Sequence, residues 1–92
     1  MIVTFADEET RKVYTTGKSR RFGSIARVAA RRLGDLDFAI RLDDLRSPPG
    51  NRLEKLKGDR AGQYSLRIND QYRVCFRWAD DSAYDVEIVD YH

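Results

Sequence analysis

The chain has 92 residues, with 17 Lys and Arg against 15 Asp and Glu, one His, one Cys and 41% hydrophobic residues. That length holds one domain over residues 1–92, burying about 60–65% of the surface its unfolded form exposes. A disordered chain, an internal disulfide, a four-ligand zinc site and a membrane span of ~18 apolar residues are all excluded, and the acidic stretch Asp7-Glu8-Glu9 does not suit a secretory leader; the expectation is a reduced, soluble cytoplasmic domain without a structural metal.

Met1–Phe5 is β-branched and apolar and predicts a short strand. Asp7 is a candidate cap for a helix over 8–16, with Glu8 and Glu9 favourably placed in the first turn and Gly17 closing it. The basic link Lys18-Ser19-Arg20-Arg21 follows. Ser24 is a second candidate cap, and Ile25, Val28, Ala29 and Leu33 recur at helical spacing, with Arg27 and Arg31 together on the exposed side. Gly34 predicts a break, after which Asp35 or Asp37 restarts a helix to about Leu45, turning Leu36, Ala39, Ile40 and Leu42 inward. Ser47-Pro48-Pro49-Gly50-Asn51 stops it.

The back half has a different period. Tyr64, Leu66 and Ile68, then Tyr72, Val74, Phe76 and Trp78, then Tyr84, Val86 and Ile88 alternate with polar residues over three runs, 63–69, 72–78 and 83–91. This predicts an antiparallel meander with one buried face. A three-residue link at 69–71 keeps that face intact, opposing Leu66 to Val74 and, on the second face, Arg67 to Arg73, so a three-residue or five-residue turn is expected. Like charges directly opposed are destabilising, so an anion is expected there: Asp85 and Glu87 from the next strand, or a ligand. The fold class is therefore α+β, an N-terminal strand and two or three helices packed on a C-terminal meander.

Three constellations could carry chemistry. The first is Asp90-Tyr91-His92, where alternation puts Tyr91 on the face of Arg73 and Asp90 on the apolar side; a phenol, a guanidinium and the sole imidazole could move protons beside a phosphate, or the end could be solvated and frayed. The second is the stretch 53–62, where Gly58 and Gly62 bracket Asp59 and Arg60 and three cations, Lys55, Lys57 and Arg60, fall within six residues; it could either grip a phosphate backbone or form a solvated turn. The third is the basic set Lys18, Arg20, Arg21, Arg27, Arg31 and Arg32, either a polyanion-facing surface or an ordinary helix face. Residues 1–60 hold 14 cations and 9 anions, and residues 61–92 hold 3 and 6, so the positive charge is concentrated in the front. The aromatics are assigned to the core, and Cys75 to a buried, unreactive position.

Residues 52–78, from Arg52-Leu53-Glu54-Lys55-Leu56-Lys57-Gly58-Asp59-Arg60 through Ile68-Asn69-Asp70-Gln71-Tyr72-Arg73, together with the ending Asp90-Tyr91-His92, resemble the HigB-type toxins of the RelE/ParE superfamily. The stretch 45–53 shares the likeness, which covers nearly the whole chain. The resemblance implies a small RelE-like fold and the toxin of a type II toxin–antitoxin system. Such a toxin is a metal-independent endoribonuclease that needs no cofactor and cleaves mRNA in the 30S A site of the ribosome. It implies a HigA-type helix-turn-helix antitoxin as partner, operator DNA bound only through that complex, and no membrane. It matches Arg73, His92, Tyr91, Asp90 and Lys57 to active-site positions, and Glu54 is added to the catalytic set; the charge pattern itself offers Lys55, Arg60, Arg67, Arg20, Arg21, Arg27 and Arg31 as RNA-binding cations. Some members have a histidine at the position of Glu54, which leaves His92 as this chain's only imidazole. Two other readings are a ParE-like inhibitor of DNA gyrase without enzymatic activity, and a degenerate toxin acting only as co-regulator with its antitoxin.

Overall fold

The computed structural model describes Met1–Tyr91. Helix α1 spans Glu8–Thr16 and α2 spans Ala26–Phe38; strands β1 (Glu54–Lys55), β2 (Tyr64–Arg67), β3 (Tyr72–Ala79) and β4 (Ser82–Asp90) form one antiparallel sheet in that order. Asp7 caps α1 as expected: its carboxylate accepts the Thr10 N–H at 2.7 Å. Gly17 ends it in the left-handed region at φ 70°, donating its N–H to the Val13 carbonyl at 2.8 Å.

The start of α2 departs from expectation. Ser24 makes no cap; a single 3₁₀ turn over Gly23–Ile25 leads into the helix instead. Gly34 does not interrupt it either. The helix runs through to Phe38, because Leu33 and Leu36, flanking the glycine, are both fully buried against the sheet. That burial stabilises by roughly 1.5–3 kcal/mol per side chain and outweighs the glycine's cost of about 1 kcal/mol. No helix restarts at Asp35 or Asp37. A separate 3₁₀ turn, Leu42–Arg46, follows after a break, and it buries Leu45 while Ile40 faces solvent.

Leu66 opposes Val74 and Arg67 opposes Arg73, the register that the alternation predicts. Both helices lie on the face of Leu66, Val74, Phe76, Val86 and Ile88, forming one core with Val13, Ala29, Leu33 and Leu36. The expected N-terminal strand is reduced to two parallel bridges along the free edge of β4, Ile2 to Ala83 and Phe5 to Val86. The reason is a bulge in β4: the β3–β4 register shifts by one between Cys75 and Arg77, and Asp85 turns to φ 52°. A regular ladder cannot continue across the extra residue. Further along that edge, the buried Thr10 hydroxyl accepts the Ile88 N–H at 3.0 Å, so side chain replaces backbone as partner.

The second face is covered in part by residues 56–62. Leu56, at the parity of Glu54, is buried, as are Ser65 and Cys75 on that face. Arg60 reaches from this loop to Gln63 at 3.0 Å and to Glu87 on β4 at 3.3 Å. Burial pushes the Cys75 thiol up, with Glu87 adding to it and Arg60 and Arg73 pulling the other way, so Cys75 stays a protonated packing residue.

Candidate active site

Arg73 stands at the start of β3 and projects onto the second face, where its side chain is only 12% exposed. Three elements fix it. Nη2 donates to the Arg52 carbonyl at 2.7 Å, just before β1. Nη1 donates to Glu54 Oε1 at 3.4 Å on β1 itself. From the end of β4, the Tyr91 ring lies with its centroid 5.9 Å from the guanidinium carbon. The Arg73 Nε is buried without a hydrogen-bond partner among the described residues. A guanidinium beneath an aromatic ring and beside a carboxylate is thus built from both edges of the sheet. Glu54 and Tyr91 are exposed, so the cluster opens to solvent.

Alternation places Tyr91 beside Arg73, and it lies there. The expected source of anions for the opposed arginines is corrected. Asp85 pairs with Arg77 at 3.5 Å and Glu87 with Arg60 at 3.3 Å, because the bulge turns Asp85 outward and the covering loop delivers Arg60 to Glu87. Arg67 takes Asp70 from its own turn, and Arg73 takes Glu54. Four arginines on this face each hold one carboxylate, which removes the repulsion that opposed like charges would cause.

The remaining expected residues divide. Lys57 is exposed, three positions beyond Glu54, at the entry to a 3₁₀ turn whose Gly58 sits at φ 65°. Asp90 is in register with Tyr72 rather than Arg73, and its carboxylate accepts from the Gln71 amide at 3.2 Å. His92 lies outside the described residues. Lys55 is exposed on the parity of Tyr64, the opposite face from Arg73. Arg60, expected as an RNA contact, is half-buried and pairs with Glu87, bracing the loop to the sheet. Arg20, Arg21, Arg27 and Arg31 are exposed on the helical side, with the Arg21 guanidinium 5.1 Å over the Phe22 ring. Arg32 does not belong with them: its Nε donates to the Arg67 carbonyl at 2.9 Å and ties α2 to the sheet.

Two contributors escape the sequence. The Arg52 carbonyl is main chain and carries no residue signal. Asn51 is fully buried, and its amide donates to the Leu45 and Ser47 carbonyls at 3.4 and 3.3 Å, folding the segment that delivers Arg52. Among the described residues, no three His, Cys, Asp or Glu side chains group as a metal site, and no helix is long and apolar enough to cross a membrane.

Against this geometry, the family model for a RelE-like toxin of the type II toxin–antitoxin system HigB matches residues 3–92. The chain is 41% identical over 85 residues to Toxin HigB-1 of Vibrio cholerae, covering 90% of each. It is 33% identical over 61 residues to Endoribonuclease HigB of Proteus vulgaris, covering 66% of this chain and 65% of that one. In structure it is similar to a chain of the YoeB–YefM complex from Staphylococcus aureus, with a TM-score of 0.61 at 18% identity, over 100% of this chain and 98% of the other.

Proposed function

This chain belongs to the HigB-like family of RelE-like toxins, and on that premise we propose that it cleaves mRNA held in the ribosomal A site. The observation that carries the reading is the Arg73 guanidinium, held under the Tyr91 ring and against the Glu54 carboxylate. The partner on this reading is a helix-turn-helix antitoxin of the HigA type, and operator DNA is reached only through that complex.

In the proposed reaction the ribose 2′-OH attacks the adjacent phosphorus. Glu54 or His92 takes the hydroxyl proton, the new P–O bond forms, and the bond to the 5′ oxygen breaks. The leaving oxygen gains a proton from the other of that pair or from Lys57. The products are a 2′,3′-cyclic phosphate and a 5′-hydroxyl, and no metal enters. Arg73 holds the charge developing on the phosphoryl oxygens, where a fixed donor acts most strongly. A phosphate entering there exchanges places with the Glu54 carboxylate, which frees that carboxylate to act as base. Tyr91 stacks on a nucleotide, and Asp90 orients the chain end. Orientation of the message by the ribosome contributes about 7–11 kcal/mol, which a site with so few acid–base groups requires. The exposed Arg20, Arg21, Arg27 and Arg31 steer the protein to ribosomal RNA.

Mapping of transcript 5′ ends after induction tests this reading. The expected result is new 5′-hydroxyl ends inside translated codons. Intact transcripts with accumulated gyrase–DNA breaks would point instead to an inhibitor that acts without chemistry on RNA.

A further inference from the structure

The C-terminal end of α2 carries a second feature, remote in character from the basic surfaces. Phe38 is 85% exposed and Ile40 is 73% exposed, side by side on the surface. They border a hollow of about 250 Å³ lined also by Ala39, Leu45, Asp35 and Asp44. The only charged side chains lining it, among the described residues, are those two aspartates. The Asp44 carboxylate accepts the Arg41 and Ile40 N–H groups at 2.9 and 3.0 Å, and these bonds hold its pKa below the usual range. Asp35 has Arg32 only at 4.0 Å. Helix α2 is therefore divided in charge, with Arg27 and Arg31 toward its start and carboxylates toward its end.

An apolar hollow with an acidic lining repels phosphate, so it is not a continuation of an RNA surface. Nor does it suit a second copy of this chain, since a two-fold contact would set aspartates against aspartates. We infer that this hollow is where the antitoxin docks, seating an apolar side chain flanked by Lys or Arg. Exposed aromatic and aliphatic anchors beside a pocket are the usual centre of a protein interface. The inference rests on the reading that a protein antitoxin neutralises this chain.

Binding of a purified HigA-type helix-turn-helix antitoxin, measured by calorimetry, tests it with the 92-residue chain. Phe38→Ser/Ile40→Ser and Asp35→Lys should each raise the Kd at least about tenfold. Both should leave ribosome-dependent RNA cleavage unchanged. Unaltered affinity in both variants overturns the docking site while leaving the nuclease reading intact. A wild-type chain that dimerises through Phe38 and Ile40 and keeps its antitoxin affinity when they are replaced also overturns it. Weakened antitoxin binding in a protein that cleaves no RNA supports the docking site and rejects the nuclease. A wild-type chain that does not bind the antitoxin rejects the docking site together with the antitoxin reading on which it rests, and the cleavage assay alone then decides the nuclease.

Discussion

Arg73 is held by chemistry that lysine does not reproduce. Its planar fork reaches the Arg52 carbonyl with Nη2 and Glu54 with Nη1, while its face lies near the Tyr91 ring. Glu54 has two parts in this account, counter-ion at rest and base during turnover. Glu54→Gln should therefore tighten RNA binding, by removing the competing carboxylate, and slow single-turnover cleavage by 10²–10⁴-fold, the usual worth of a general base. Equal loss of both would assign Glu54 to binding alone. The nearness of Tyr91 to Arg73 was legible because alternation along a strand fixes the face of every side chain. The Glu54 contact was not. It depends on β1, a two-residue strand of charged side chains with no periodic pattern to read.

At the scale of elements, long-range packing explains where local signals misled. Gly34 reads as a breaker by propensity, yet Leu33 and Leu36 on either side are fully buried and carry α2 through it. A Cβ at Gly34 would meet nothing within 4 Å, and its backbone is not left-handed. Gly34→Ala should stabilise the protein by about 0.5–1 kcal/mol, read as a higher midpoint in urea with the slope unchanged. A lowered midpoint would mean that the glycine meets a contact absent from the helix surface described. The meander was the most legible element as far as the bulge, since alternation sets the faces of β2 and β3; beyond it Tyr84, expected on the apolar face, lies opposite Arg77 on the second face. The bulge at Asp85 was hidden, because the residues around it continue an alternating pattern. It decides that the N-terminal segment bridges β4 at two points instead of forming a strand.

At the scale of the molecule, one polar junction ties the chain's beginning to both helices. The Asp37 carboxylate on α2 accepts the Tyr14 hydroxyl of α1 at 2.6 Å and the Ile2 N–H at 2.7 Å. Burial works to raise Asp37, but those hydrogen bonds and the N-terminal ammonium outweigh it and leave the carboxyl below its usual 3.8. Burial, the hydrogen bond and the charge of Asp37 together push Tyr14 up to about 12. The signs give two edges. As pH falls through 3.8 the unfolded Asp37 takes up a proton before the folded one, so its contribution is lost toward lower pH. As pH rises from 10 to about 12 the unfolded Tyr14 ionises first, and its contribution is lost there. Stability against urea should thus fall at both edges in the wild type, with the alkaline fall reduced in Tyr14→Phe; an unchanged alkaline limb would remove Tyr14 as its source. The same scale separates the proposed functional surfaces: Arg73 on the second face, the exposed arginines on the helical side, and the acidic hollow at the end of α2. The central claim is that the Arg73 guanidinium stabilises the reacting phosphate. Its most direct test is single-turnover cleavage of an mRNA bound on purified ribosomes, comparing wild type with Arg73→Ala. The account predicts a loss of about 10²–10³-fold with binding to the ribosome retained and unfolding still cooperative. A variant that folds, binds and cleaves at the wild-type rate would contradict it.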